Sequence, residues 1–246
     1  METLVLAAGR STRISSVTAG APKPLLEVAG QTVLERNLRW LRHSGVTSVH
    51  INLHHRADLI RARLGDGSAL GLAIRYLQEP ELLGTAGALR NLAPPTTTLV
   101  VYGDNLIRFP LEPLFAAHRR HQSLVTIAVF EPDVVANTGI FGGRVELNEN
   151  LQVERFVEGG SVGSVNAGVY LVEPPTLEMI PPGPYDFARQ LFPQMLAQGL
   201  KLGGYRMPPG SYCLGLDTPE SWARAGALFD QGLILEPSPQ QGDSGE

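Results

Sequence analysis

Short apolar, β-branched runs recur through the first half of the chain, at Leu4 to Leu6, Val49 to Leu53, Leu99 to Tyr102 and Leu124 to Phe130. Runs of this length without polar alternation predict strands buried on both faces. Helical spacing lies between them. Val33, Leu34, Leu38 and Leu41 share one helix face, with Thr32 as the cap and Gly45 as the stop, and a second helix over Ala57 to Leu64 ends at Gly65. Strands alternating with helices predict βαβ units and a mainly parallel sheet. After about Phe130 the pattern changes to strand-like pieces joined by short turns, at Gly139 to Leu147, Leu151 to Val157 and Val165 to Val172. This half reads as antiparallel, a lid or second lobe. A helix over Asp186 to Gln198, a strand pair between Lys201 and Leu216 and a helix over Pro219 to Leu228 complete one domain spanning residues 1–235, with halves 1–130 and 131–235. The remaining segment, 236–246, lacks apolar residues and is expected to stay disordered.

Composition narrows the classes. No apolar run approaches the ~20 residues of a membrane helix, so a helical membrane span is excluded. Cys213 is the only cysteine, which excludes an intrachain disulfide framework or thiolate metal cluster and fits a reducing compartment. Met1 runs directly into the first strand without a leader pattern, so a cytoplasmic protein is expected. A net charge of -4 argues against a general nucleic-acid binder. The charge is uneven: residues 1–65 hold nine Arg/Lys against four Asp/Glu, and the rest eleven against twenty, so the N-terminal part can face an anion. Only Lys23 and Lys201 are lysines, which draws attention to where each one sits.

The most informative stretch is Leu6 to Leu26, LAAGRSTRISSVTAGAPKPLL. A strand there ends in Ala7, Ala8 and Gly9, whose small side chains let a ligand reach backbone N–H groups, a natural phosphate cradle. Arg13 and Lys23 follow. Two familiar phosphate motifs fail: Gly9 is followed by Arg10 Ser11 Thr12 Arg13 rather than the spacing of a dinucleotide fingerprint, and neither lysine follows a glycine as in a P-loop.

This stretch resembles the signature of the nucleoside-triphosphate:sugar-1-phosphate nucleotidyltransferases, LAAG-x-G-T-R-L-x-P-x-T…PKPL. The similarity continues in order through Glu79 to Leu89 (EPELLGTAGAL), Tyr102 to Asn105 (YGDN), Phe156 to Glu158 (FVE), Val165 to Tyr170 (VNAGVY), Leu191 to Pro193 (LFP) and Leu216 to Glu220 (LDTPE). The resemblance implies a Rossmann-like three-layer α/β/α fold with a mixed, mostly parallel sheet and a small antiparallel sugar-binding lobe. Residues 1–130 would be the nucleotide-binding half and 131–235 the sugar-binding half.

It also implies a reaction and roles. The acceptor's anomeric phosphate attacks the α-phosphorus of an NTP and expels pyrophosphate, a transfer helped by positioned cations and Mg²⁺. Arg13 and Lys23 match the catalytic cations, Arg13 at the departing pyrophosphate and Lys23 near the α-phosphate. Asp104 and Asp217 match metal ligands, although most relatives read D-I-G-T-P-E and carry their aspartate where this chain has Gly215, and Asp217 could instead cap the following helix. Leu6, Ala7, Ala8, Gly9, Gln78, Gly84 and Thr85 would meet the nucleotide, and Asn105, Gly139, Glu158 and Asn166 the sugar. The G-T-A-G form is more like mannose- and heptose-phosphate guanylyltransferases than thymidylyltransferases, which favours GTP with a mannose- or heptose-type 1-phosphate. Relatives have Glu-Lys-Pro where this chain has Glu158 Gly159 Gly160, and their lysine helps hold the sugar phosphate: either another cation, such as Arg144, Arg155 or Arg206, fills in, or the acceptor sits differently, or activity is reduced. Cytidylyl or uridylyl transfer, and a silent nucleotide-sugar-binding regulatory subunit, are the rival readings. No nucleic-acid or membrane partner is expected, and a homo-oligomer is left open.

Other features read as structural. Gly159 to Gly163 satisfies G-x-S-x-G around Ser161, but a strand-like segment follows where a hydrolase elbow needs a helix. His118 and His121, three apart, and the adjacent His54 and His55 lack partners at zinc spacing and read as a solvated helix face and a turn. Cys213 reads as a small apolar filler.

Overall fold

The computed structural model describes residues 1–9, 14–18, 20–134, 136–138, 140, 142–160 and 162–234. The 236–246 segment and Ser161 lie outside the described residues. In the first half the elements are β1 (Glu2–Leu6), α1 (Ser15–Thr18), β2 (Glu27–Val28), β3 (Gln31–Thr32), α2 (Val33–His43), β4 (Ser48–Leu53), α3 (Ala57–Leu64), β5 (Ala73–Gln78), α4 (Gly84–Leu92), β6 (Thr98–Tyr102), β7 (Asn105–Arg108), α5 (Leu111–His121) and β8 (Val125–Phe130). The second half adds β9 (Ala136–Thr138), β10 (Arg144–Leu147), β11 (Val153–Val157), β12 (Ser164–Val172), α6 (Phe192–Ala197), β13 (Leu202–Arg206), β14 (Tyr212–Gly215) and α7 (Pro219–Asp230). No helix among the described residues is long and apolar enough to cross a membrane.

Nine strands form one sheet, in the order β11-β10-β12-β6-β1-β4-β5, with β8 beside β12 and β13 beside β8. β1 lies in parallel between β4 and β6, and β5 extends the parallel side. Successive strand residues feed opposite layers because side chains alternate across a sheet. Val5, Leu99 and Val101 pack with Leu34, Leu38 and Leu41 of α2. Leu4 and Val100 pack with Ala88 and Leu89 of α4 and with Phe187, Leu191 and Phe192 on the other face. The buried, non-alternating runs of the sequence are thus what a three-layer α/β/α core requires.

The antiparallel half continues the same sheet. β12 pairs with β6 through Val169 to Val172 and with β10 through Ser164 and Val165, while β8 runs beside both parts. The change of partner coincides with a register shift between Asn166 and Tyr170. Gly168 sits in that shift at φ 72, and a Cβ there would lie 2.9 Å from Cγ of Tyr102, so glycine is required both for the backbone conformation and for the approach of β6.

The strands expected to pair between Lys201 and Leu216 part company. β13 joins β8 in parallel, whereas β14 pairs with β7 and β9 in a separate three-stranded sheet. Pro208 and Pro209 stand between them and cannot continue a ladder. Beyond that corner Tyr212 and Leu214 turn into a third cluster with Ile14, Val28, Leu106 and Ala225 of α7. Arg36 locks this region, donating to the carbonyls of Val28 and Ala29 and lying 4.4 Å from the Phe229 ring centroid. His118 corrects another expectation: it is buried, with Nδ1 on Thr126 Oγ1 at 2.7 Å and Nε2 on Glu173 Oε1 at 2.8 Å. Helix α5 turns it toward the sheet, where these partners replace water.

Candidate active site

The carboxyl ends of β1, β4, β5 and β6 open onto one cavity of about 360 Å³, the edge where open α/β sheets bind ligands. Leu6, Ala7, Ala8 and Gly9 form its rim, with Asn52 and Glu79 behind them, and Gly84, Thr85, Tyr102, Asp104, Lys23 and Asp217 around the rest. The rim is held from below. Ala7 N donates to Asn52 Oδ1 at 2.8 Å, Asn52 Nδ2 donates to Glu79 Oε1 at 2.9 Å, and Leu83 N donates to Glu79 Oε2 at 3.2 Å. Glu79 is 1% exposed, and these bonds offset the cost of burying its carboxyl group. Asn52 and Glu79 were not singled out by sequence. The available signal was a polar side chain closing each of two strands at the ligand edge.

Lys23 also lines the cavity. Its Nζ lies 2.8 Å from Asp217 Oδ1 and 3.2 Å from Asp104 Oδ2, with the lysine side chain only 4% exposed. Burial by itself depresses an ammonium, but the two carboxylates outweigh it and hold Lys23 above its ordinary value. Each partner arrives by a local rule. Asp104 follows the buried strand β6 in the turn before β7. Asp217 is released for this contact because Thr218 caps α7, in a capping box with Ser221, and a Pro follows it at the first position. The helix-cap alternative for Asp217 is therefore removed.

Other site residues separate into groups. Gln78 is exposed and points its amide at Leu53 O, 3.4 Å away, so it is the neighbouring Glu79 that lines the cavity. Gly84 has φ 70, and a Cβ there would lie 2.5 Å from Tyr185 O. That carbonyl accepts from Ala86 N and Gly87 N at 2.9 and 3.0 Å, so part of the N-terminus of α4 is satisfied by the second half of the chain. Glu158 and Asn166 meet around Gly143: Gly143 O accepts from Asn166 N, and a Cβ on Gly143 would lie 3.2 Å from Glu158 Oε2. Burial raises the Glu158 carboxyl, against the lowering effect of Arg189, with Asp186 adding to the rise. Asn105 lies on β7, its carbonyl accepting from Asn37 Nδ2 at 2.7 Å, and it is not among the residues lining the cavity. Arg13 and Gly139 lie outside the described residues.

The three arginines considered as stand-ins for a missing lysine all have other partners. Arg144 donates to the carbonyls of Gly160 and Gly163, Arg155 to Glu146, and Arg206 lies 3.8 Å from Glu131. Cys213 is fully buried with its thiol pushed up by desolvation, as suits an inert filler.

The family model described as nucleotidyl transferase matches residues 2–208. The chain belongs to the nucleotidyl transferase family. Within it, a mannose-1-phosphate guanylyltransferase of Mycobacterium tuberculosis is 33% identical, over 97% of this chain and 67% of that protein. A UTP--glucose-1-phosphate uridylyltransferase of Synechocystis is 29% identical, over 81% of this chain and 56% of that one. The fold agrees with that of the solved structure of HddC from Yersinia pseudotuberculosis complexed with GMP-PN, at a TM-score of 0.79 and 23% identity, covering 93% of this chain and 99% of that one. As a nucleotidyl transferase, the chain is similar to enzymes named for sugar 1-phosphates, with NTP specificity differing among them.

Proposed function

We propose that this protein joins an NTP, with GTP favoured, to a mannose- or heptose-type 1-phosphate, releasing pyrophosphate. The observation that carries the reading is Lys23, buried between Asp104 and Asp217 in a cavity that is also lined by the small-residue backbone edge Ala7 to Gly9. A compact ammonium there suits a phosphoryl oxygen that gains negative charge during transfer. The guanylyl preference is supported by the mannose-1-phosphate guanylyltransferase of M. tuberculosis.

Chemically, an oxygen of the acceptor phosphate forms a bond to the α-phosphorus while the bond from that phosphorus to the β-phosphate bridging oxygen breaks, and pyrophosphate leaves with the electron pair. Ala7, Ala8 and Gly9 present backbone to the triphosphate. Lys23 stabilises the α-phosphoryl oxygens, and Arg13 holds the departing pyrophosphate. Asp104 and Asp217 fit a divalent cation: both are hard oxygen donors, they converge on one point charge, and Mg²⁺ takes only one or two carboxylates from protein. Mg²⁺ held there would neutralise triphosphate charge. Glu158 and Asn166 accept and donate to sugar hydroxyls, discriminating by the bonds a wrong sugar leaves unmade.

The test is a grid of NTPs against hexose and heptose 1-phosphates with Mg²⁺, read as pyrophosphate. GTP with a mannose- or heptose-type acceptor is expected to give the highest kcat/KM. Binding of a nucleotide sugar with no release from any pair would overturn the reading in favour of a silent regulatory subunit.

A further inference from the structure

The ammonium of Lys23 and a divalent cation call for the same two carboxylates. Lys23 Nζ lies 3.2 Å from Asp104 Oδ2 and 2.8 Å from Asp217 Oδ1, and the lysine side chain is 4% exposed against 40% and 24% for its partners. The carboxylates meet solvent while the ammonium does not, so an arriving cation reaches them first. Mg²⁺ binds carboxylate oxygens at about 2.0–2.1 Å and keeps much of its shell as water. Placing it between these aspartates sets a second cation a few ångströms from the ammonium, and the two repel.

Which partner gives way is decided by the backbone. Lys23 stands between Pro22 and Pro24, whose rings fix φ. The single turn Lys23–Leu25 is closed by Leu25 N donating to Pro22 O and Leu26 N to Lys23 O, both at 2.9 Å. Just downstream, Trp222 Nε1 of α7 donates to Glu27 O at 2.7 Å. On the acid side, Gly103 N donates to Leu6 O at 2.9 Å, and a Cβ on Gly103 would lie 2.9 Å from the same oxygen, so the turn bearing Asp104 is seated on β1. Asp217 directly precedes the Thr218 cap of α7. The main chain is thus held at all three residues. What can still turn is the four-carbon lysine stem, longer than either aspartate side chain, and the cavity it lines gives that stem somewhere to go.

We propose that Lys23 is a placeholder cation: its ammonium and a divalent metal ion are alternative occupants of the Asp104–Asp217 pair, and the lysine side chain swings into the cavity when the metal takes the pair. This rests on the reading of Asp104 and Asp217 as the metal-holding carboxylates. Until then the ammonium offsets a paired negative charge that repels a triphosphate. Metal and triphosphate also help each other. A phosphoryl oxygen draws the ammonium off the carboxylates, and a cation on the carboxylates turns the ammonium toward the phosphate, so each strengthens binding of the other by the same factor. Lys23 is thereby delivered to the α-phosphate only in a loaded site.

The scarcity of lysine makes the swing observable. Lys23 and Lys201 are the only lysines, and Lys201 is exposed. In ¹³C-lysine-labelled protein, Lys201→Arg leaves the side-chain signals of Lys23 alone. Metal-stripped protein is titrated with Mg²⁺ in the absence of nucleotide, followed by NMR and by calorimetry. The cross-peak between Lys23 Hε and Asp217 Hβ is expected to fade with the midpoint that calorimetry gives. If the ammonium holds the pair about 90% of the time, Lys23→Met should tighten Mg²⁺ binding about tenfold, in a variant that still melts cooperatively. A cross-peak that persists at saturating Mg²⁺, or a Lys23→Met affinity within about twofold of wild type, would overturn the placeholder role and put the metal on the outer carboxylate oxygens beside a fixed ammonium. Absence of Mg²⁺ binding in both proteins would remove the metal reading of Asp104 and Asp217, and the placeholder role with it. A fading cross-peak without pyrophosphate release from any substrate pair would uphold the placeholder and overturn the transfer reading.

Discussion

Replacing Lys23 with methionine tests the centre of the site, because it keeps the packing of a long side chain and removes only the ammonium. Two effects should separate. Removing one partner of a buried ion pair costs about 3–5 kcal/mol when the remaining charge stays desolvated. Here the carboxylates keep access to water, 40% for Asp104 and 24% for Asp217, so the loss should be smaller, about 1–3 kcal/mol. For a domain of this size that is a fall in Tm of roughly 2–12 °C. Turnover should drop far more. A preorganised positive group aimed at developing phosphoryl charge contributes about 2.7–4 kcal/mol, a loss of about 10²–10³ in kcat. The assay is pyrophosphate release with saturating GTP, acceptor and Mg²⁺, alongside thermal melts and titration of Mg²⁺ into the free protein. The variant should bind Mg²⁺ more tightly than the wild type, because the ammonium no longer competes for Asp104 and Asp217. Because the folded-state value of Lys23 is raised, the ion pair's contribution is fully present below the ordinary lysine value and is lost only as pH climbs through the raised one. No Lys23-dependent loss of activity is therefore expected between pH 6 and pH 9, on the order of an ordinary titration range. A kcat within about threefold of wild type, in a protein that still melts cooperatively, would refute the assignment.

Further outcomes follow from the same geometry. Asp217→Asn should weaken the Mg²⁺ dependence of turnover and cut kcat at least about tenfold, while α7 stays folded because Thr218 and Ser221 carry its cap; circular dichroism and a Mg²⁺ titration check both. Glu79→Gln swaps one acceptor oxygen for a donor facing either Asn52 Nδ2 or Leu83 N, so it should cost about 1–3 kcal/mol in denaturant melts and raise KM for the NTP more than KM for the acceptor. Glu158→Gln should stabilise the free protein near neutral pH while raising acceptor KM. Burial holds the Glu158 carboxyl above the ordinary glutamate value, so its protonated form favours the fold at acid pH and that contribution disappears as pH rises through the raised value. Melts from pH 4 to pH 8, roughly spanning that range, should show wild type and variant converging at the acid end.

Much of the molecule was legible as local pattern. The strand positions at Leu4, Val49, Leu99 and Leu124, the Thr32 cap and the Gly45 and Gly65 stops each depend on residues within a turn or two, and the structure realises them. That Ala7 to Gly9 line the cavity was legible for the same reason, since small residues after a buried strand leave backbone accessible whatever lies elsewhere. Pairing was not local. The apolar runs at β13 and β14 look alike in sequence, and only the sheet edges available to each decide that one joins β8 and the other β7 and β9. His118 likewise reads as surface on its helix until the sheet is laid beneath it.

The sequence by itself determined the alternation of strand and helix, the motif order that marks the family and the residue types able to handle a triphosphate. Tertiary structure decided which of those side chains meet. Lys23 and Asp217 are 194 positions apart, and Thr85 and Asp186 are 101 apart. Neither encounter leaves a periodic trace along the chain, because periodicity records only which face a residue turns inward, whereas a salt bridge or a hydrogen bond depends on what the rest of the fold brings to that face.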